Sequence, residues 1–253
     1  MIARDKKSLK RVATVEARMN SSRLPGKILK DILEKPSLER LVERVRRAKF
    51  VDEVVVATTV SKEDDIVESW ACKAGASIYR GSEEDVLLRV LEAAAAYKAD
   101  IIVELTGDCP LLDPAIIDEV IGYYLEHDYD YVSNNKERSY PRGLDTQVFS
   151  REILEEVNRL TRDPADHEHV SLYIYEHPER YRLATLKAPK ELYGPDIRLC
   201  VDTPEDFAVV ESIYKGLYPK DPGFSAYDIM AYLNANPSIL NMNAAVKQKL
   251  IRT

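Results

Sequence analysis

Val12-Ala13-Thr14-Val15-Glu16-Ala17-Arg18-Met19-Asn20-Ser21-Ser22-Arg23-Leu24-Pro25-Gly26-Lys27-Ile28 decides how this chain is read. The first four residues are small, apolar or β-branched, the composition of a strand buried on both faces. That strand empties into a loop holding three cations (Arg18, Arg23, Lys27), two hydroxyls (Ser21, Ser22) and the turn-making pair Pro25-Gly26. Backbone N–H groups and cationic side chains of such a loop can surround a polyphosphate. The plain alternative is a solvated basic loop. A Walker P-loop is excluded, because Ile28 follows Lys27 where Ser or Thr is needed and the upstream glycine is missing. No GxGxxG occurs anywhere in the chain, which removes the dinucleotide fingerprint as well.

Working outward, strand-like and helix-like stretches alternate. Residues 37–49 carry Leu38, Leu41, Val42 and Val45 at helical spacing, with Arg and Glu opposite. Val54-Val55-Val56-Ala57-Thr58 predicts a strand, residues 62–74 a helix, 76–79 a strand and 83–98 a helix. Ile101-Ile102-Val103-Glu104-Leu105 is the clearest buried strand, and Pro114 at a first helical position predicts a helix to Glu126. Beyond these, 146–149, 182–186 and 197–201 read as strands, and 151–159, 204–217 and 226–234 as helices. The expected class is α/β, a mostly parallel sheet covered on both faces by helices. No linker or composition break divides the chain, so residues 1–253 are expected to form one domain with a small sheet extension around 135–200. Ligands of such sheets bind beyond the carboxyl ends of the strands, where the cationic loop and Thr106-Gly107-Asp108-Cys109-Pro110 both emerge.

Two acids stand out at strand ends. Asp108 follows Gly107 after the most apolar strand, and Asp202 follows Leu199-Cys200-Val201 and precedes Thr203-Pro204. Each taken alone could be a helix N-cap. Two of them opposite a phosphate-type loop fit Mg²⁺, which is held by one or two carboxylates with substrate phosphates filling further positions.

The whole chain sets limits. At 253 residues, with 45% hydrophobic and 31% charged residues, it matches an ordinary globular protein. A net charge of −7 argues against a protein whose main task is gripping nucleic acid, but not against a small anionic ligand held locally. Cys72, Cys109 and Cys200 form no CxxC pair, which fits a reducing cytoplasm and disfavours a structural zinc site. No apolar run approaches a membrane span, and Met1-Ile2-Ala3-Arg4-Asp5-Lys6-Lys7 has no apolar h-region of a secretion signal.

The run from Ala17 to Lys27 resembles the signature of the cytidylyltransferases that activate acidic sugars, such as the 3-deoxy-manno-octulosonate and N-acylneuraminate enzymes. The nearest branch is that of the spore coat polysaccharide biosynthesis protein F. Further segments match in the family's order: Arg80-Gly81-Ser82-Glu83-Glu84-Asp85-Val86-Leu87, residues 105–111, Tyr140-Pro141-Arg142-Gly143-Leu144-Asp145, Glu168-His169-Val170 and Val201-Asp202-Thr203-Pro204-Glu205-Asp206. The resemblance implies a Rossmann-like, glycosyltransferase-A-like nucleotidyltransferase fold. It implies that Arg18, Arg23 and Lys27 embrace the triphosphate, CTP being the favoured nucleotide, and that Asp108 and Asp202 bind Mg²⁺. Ala17, Ser22, Arg80, Gly81, Asp85 and Gly107 would lie near the nucleotide. Arg142, Asp145, Gln147 and His169 would face the sugar, and the family's habit implies a homodimer. One departure is Ile32-Leu33-Glu34-Lys35-Pro36-Ser37, where the family carries a Gly-rich turn.

The expected reaction joins an NTP to a sugar, or to a sugar phosphate, and releases pyrophosphate. Arg18, Lys27 and Asp108 would act through placement and electrostatics, without a covalent nucleophile. The rival is a glycosyltransferase on the same scaffold, whose Asp-x-Asp motif is only half supplied by Thr106-Gly107-Asp108. A non-catalytic nucleotide-binding protein is the third reading. In Asp166-His167-Glu168-His169 the two histidines diverge if helical, so His169 is expected to make a polar contact and His167 to face solvent. Cys109 is expected to be a small buried neighbour of Asp108. Tyr173 and Tyr175 are candidates for a surface between copies.

Overall fold

A computed structural model describes residues 6–249 and residue 251. Of the stretch searched for a leader, residues 1–5 lie outside the described residues. The first apolar run is strand β1 (Arg11–Glu16), followed by a short hairpin of β2 (Asp31–Ile32) and β3 (Lys35–Pro36) and by helix α1 (Ser37–Val45). Then come β4 (Glu53–Thr59), α2 (Asp65–Lys73), β5 (Ser77–Gly81), α3 (Val86–Ala96), β6 (Ile101–Thr106) and α4 (Pro114–Glu126). The second half supplies β7 (Tyr131–Ser133), β8 (Gln147–Ser150), α5 (Arg151–Leu160), α6 (Pro164–Glu168), α7 (Leu172–Glu176), β9 (Leu183–Thr185), α8 (Pro204–Leu217) and α9 (Ala226–Ala235).

One seven-stranded sheet, ordered β5-β4-β1-β6-β8-β7-β9, spans both halves. β5, β4, β1 and β6 are mutually parallel, β8 runs antiparallel to β6 and β7, and β9 is parallel to β7. Strand alternation divides the core. Ala13, Val15, Val54, Val56, Val103 and Leu105 pack under α1, α2 and α4. Val12, Val55, Ala57 and Ile102 pack under α3, α5 and α7, and a third cluster joins α8 and α9 to Leu111, Tyr140 and Leu199. Arg44 bridges these regions, its Nε donating to Leu112 O at 2.7 Å and its Nη2 to Phe224 O at 3.0 Å. Among the described residues no helix is long and apolar enough to cross a membrane.

Three local expectations are corrected. Residues 197–201 form no strand: their pairing is a single bridge, Arg142 to Arg198. The helix expected from residue 62 opens as a 3₁₀ turn, Lys62–Asp64, and that expected from residue 83 starts only after its cap, Asp85. In place of a Gly-rich turn, residues 31–36 make the β2–β3 hairpin, whose two turn residues, Leu33 (φ 53°) and Glu34 (φ 68°), both take left-handed backbone. Two positive φ values are the geometry that matches strand twist in a two-residue hairpin, normally supplied by Asn-Gly. A non-glycine residue there costs on the order of 1 kcal/mol. Glu34 is exposed, and its backbone N–H is held by Asp31 Oδ1 at 2.9 Å whatever its side chain. Glu34→Gly is therefore expected to stabilise the fold by up to about 1 kcal/mol in urea titration, the glycine's extra chain entropy offsetting part of the relief. A loss of stability would contradict the strain.

Candidate active site

Strand register brings the predicted site segments to one level. Glu16 at the end of β1 pairs with Thr106 at the end of β6, so the loops after them leave adjacent strand tips together. Gly107 N donates to Glu16 O at 2.9 Å. A Cβ on Gly107 would lie 2.5 Å from that oxygen and 3.0 Å from Ala17 Cβ, so only glycine permits this approach. The third segment is tied in by Val201 N donating to Asp108 O at 2.8 Å, which sets Asp202 beside Asp108. Behind it, Leu199 N donates to Arg142 O at 2.7 Å. Gly143, at φ 103°, packs so closely that a Cβ would meet Cys200 N at 2.6 Å. Tyr214 on α8 donates to Pro110 O at 2.7 Å and fixes the far side of the Asp108 loop.

The charges converge. Lys27 Nζ lies 2.8 Å from Asp108 Oδ2 and 3.0 Å from Asp202 Oδ1. Arg23 Nη2 and Arg198 Nη2 lie 3.0 and 3.1 Å from Asp202 Oδ2. Burial alone would raise the Asp202 carboxyl, but Lys27, Arg23 and Arg198 hold it below the usual carboxylate range. Burial alone would likewise lower the Lys27 ammonium, and Asp108 and Asp202 together push it up. Neither aspartate is a helix cap: Thr203 caps α8 with Asp206 completing the capping box, and Asp113 caps α4. Cys109 is buried beside Asp108 with its thiol pKa pushed up by burial, unsuited to nucleophilic work.

Two carboxylates that share one cationic atom are a donor set that fits a divalent cation. Among the described residues no group of three or more His, Cys, Asp or Glu is arranged to hold a metal. An ion here would therefore take its remaining ligands from phosphate and water, as Mg²⁺ and Mn²⁺ readily do.

The cationic loop is anchored underneath. Buried Asp64 accepts from Met19 N at 2.7 Å and from the Thr59 hydroxyl, and Gly26, at φ 69°, turns the chain back so that its N–H donates to Met19 O at 2.9 Å. Arg18 Nη1 leans on Glu83 O at 3.2 Å, and Ser22 is exposed.

The remaining expected residues divide. Arg80 packs at the carboxyl end of β4, its guanidinium engaged by Thr59 O, Ser61 O, Asp65 and Glu68. Gly81 closes β5 against Arg89. Asp85 caps α3 through Leu88 N at 2.8 Å and lies 2.8 Å from His167 Nδ1. His167 is thus a wall residue rather than a solvent-facing one, because the short α6 turns it toward α3, while His169 ends α6 half-buried. Asp145 is gripped by Arg138 at 2.7 and 3.1 Å. Burial first, then Arg138, lowers the Arg142 pKa, so an anionic partner would relieve it. Gln147 is buried and accepts from Tyr131 Oη at 2.7 Å and Ser171 Oγ at 2.9 Å. Tyr173 and Tyr175 are half-buried against the α3 side of the core.

Sequence reasoning did not single out Arg198 or Glu104, and it quoted Asp206 only as the end of a matching segment. Arg198 breaks an otherwise apolar run, Ile197 to Val201, and that break is the signal it offered. Glu104 faces Gln147 in register. Burial pushes its carboxyl up to about 7, with the polar groups of Ser171 and Gln147 acting against the shift, and its Oε2 has no partner.

Comparison with known proteins gives a consistent picture. A family model described as Cytidylyltransferase matches residues 12–236. The spore coat polysaccharide biosynthesis protein SpsF of Bacillus subtilis is 36% identical over 230 residues, 88% of this chain and 93% of that one. A cytidylyltransferase structure from Leptospira borgpetersenii superposes with a TM-score of 0.87 at 34% identity, covering 96% of this chain and 99% of that one. A structure of CMP:2-keto-3-deoxy-manno-octonic acid synthetase complexed with CTP shares the fold, with a TM-score of 0.63 at 23% identity over 82% of this chain and 99% of that one.

Proposed function

The chain belongs to the cytidylyltransferase family, and on that premise we propose that it transfers CMP from CTP to a sugar or sugar phosphate in a Mg²⁺-dependent reaction that releases pyrophosphate. The observation that carries the reading is the convergence of Asp108 and Asp202 on one cation, Lys27 Nζ, directly beside Arg23. Asp108 and Asp202 would hold the Mg²⁺. When bound, the ion neutralises charge on the phosphate oxygens as the reaction proceeds. Arg18, Arg23 and Lys27 hold the β- and γ-phosphates and stabilise the departing pyrophosphate. Gly107 and Ala17, packed against each other at the tips of β6 and β1, would lie near the nucleotide, with Ser22 in the loop. Arg142 would offer a cation to the sugar's acidic group, and Asp145, Gln147 and His169 would face the sugar with it. Arg80, Gly81 and Asp85 would lie near the nucleotide. The sugar oxygen attacks the α-phosphorus in line, forming the new O–P bond as the bond to the β-phosphate oxygen breaks. Binding of CTP by the related synthetase supports the choice of nucleotide.

The test is a pyrophosphate-release screen of four NTPs against a panel of acidic sugars and sugar phosphates. Release with CTP and one sugar class is the expected result. Sugar transfer from a supplied nucleotide-sugar, without pyrophosphate release from any NTP, would replace this reading with a glycosyltransferase.

A further inference from the structure

We propose that Asn243 and Gln248, in the segment after α9, are positioning residues for the divalent-cation site, acting on Asp202 through Arg198 and Asp206. The proposal rests on the assignment of that cation to Asp108 and Asp202. The segment lies beyond residue 236, where the match to the family model ends, yet it folds back onto the side chains that hold Asp202.

Arg198 is the hub. Its Nη2 reaches Asp202 Oδ2 at 3.1 Å and Asp206 Oδ2 at 3.2 Å, and its Nε reaches Asp206 Oδ1 at 3.2 Å. The remaining nitrogen, Nη1, donates to Gln248 Oε1 at 2.7 Å. Asp206 also accepts from the backbone N–H groups of Asp202 and Thr203 at 3.1 and 3.2 Å, so it fixes the main chain of Asp202 while Arg198 fixes its carboxylate. Asn243 Nδ2 donates to Arg198 O at 3.1 Å and Asp206 Oδ1 at 2.9 Å, both acceptors, which sets the orientation of its amide.

A buried guanidinium–carboxylate pair keeps its geometry only while its remaining donors and acceptors are satisfied. Arg198 is 8% exposed and Asp206 is fully buried. Losing the Asn243 amide leaves Asp206 Oδ1 and Arg198 O short of a donor, and losing Gln248 leaves Nη1 without its acceptor. In both cases Arg198 is free to shift, and Asp202 Oδ2 shifts with it. Changes in the groups that orient a metal's ligands typically weaken metal binding 10–100-fold.

The experiment titrates Mn²⁺ into the nucleotide-free protein and follows water-proton relaxation, with thermal midpoints recorded alongside. Asn243→Leu keeps the side-chain size and removes the donors; it is expected to weaken Mn²⁺ binding about tenfold. Gln248→Ala changes an exposed side chain that the fold tolerates, and a smaller loss in the same direction is expected. Gln248→Glu keeps the acceptor and is expected to bind Mn²⁺ at least as well as the unaltered protein. Unchanged Mn²⁺ binding in both Asn243→Leu and Gln248→Ala overturns the proposal whatever the midpoints do. Asp202→Asn separates the two levels: if it abolishes binding while the other variants do not, only the positioning role falls. If it leaves binding intact, the cation assignment falls and takes the positioning role with it.

Discussion

Asp108→Asn is expected to lower turnover about 10²–10³-fold at saturating CTP and Mg²⁺ while the protein stays folded. The substitution removes one charge from the pair that faces Lys27 and leaves the side-chain shape, the backbone bond from Val201 N to Asp108 O and the whole of Asp202 in place. A fixed charge aimed at the reacting phosphates acts without reorganising, and its loss is worth about 3–4 kcal/mol in the transition state. The cost to the folded state is far smaller. The Asp108 side chain is 23% exposed, and Lys27 keeps its partner in Asp202, so no buried charge is left unpaired. Asn is the informative replacement because it keeps the size of Asp and one hydrogen-bonding oxygen while removing the charge. If Asp108 served only to order its loop, the variant would turn over normally. Pyrophosphate release by the variant, read beside its thermal midpoint, decides: near-normal turnover removes Asp108 from the chemistry.

How far the sequence could be read depended on whether a feature has a local cause. The ends of α4 and α8 were legible because Pro114 and Pro204 stand at first helical positions behind capping Asp113 and Thr203. The central strands were legible because both of their faces are buried and their residues are apolar throughout. The β2–β3 hairpin was not, since Leu33 and Glu34 give no hint of left-handed backbone. Residues 197–201 looked like a strand for the same apolar reason as the others. Their backbone instead spends its hydrogen bonds one at a time on Arg142 and Asp108, which no periodicity reveals. In the site, the cations and both aspartates were legible as types in a pattern, and their meeting point was a matter of the register between β1 and β6 and of the bond from Val201 N to Asp108 O. Arg80 shows another kind of limit: its partners Asp65 and Glu68 lie on α2, so the engagement of its guanidinium cannot be read from its own segment.

Lys27→Met is expected to act in two directions at once, lowering turnover about 10²–10³-fold and tightening the binding of a divalent cation in the absence of nucleotide. The first effect follows from losing the charge assigned to the leaving phosphates. The second follows from where Nζ sits: 2.8 and 3.0 Å from the two carboxylates that would hold the ion. Asp108 and Asp202 hold the ammonium charged in spite of its burial, so any cation entering the pair competes with a tethered one. A triphosphate offers that ammonium a different partner and so frees the carboxylates. Metal and nucleotide are then coupled through Lys27, each raising the other's affinity by the same factor. Met keeps the length and apolar stem of lysine without the charge, so the competition ends while the loop keeps its packing. Mn²⁺ is expected to bind the nucleotide-free variant at least about fivefold more tightly than the unaltered protein, the low end of ordinary coupling between sites. The affinity for CTP should correspondingly depend less on metal in the variant, which calorimetry with and without Mn²⁺ can read. If the variant binds nucleotide-free Mn²⁺ no better than the unaltered protein, the ammonium does not hold the cation's place, and the two carboxylates serve the lysine instead of a metal.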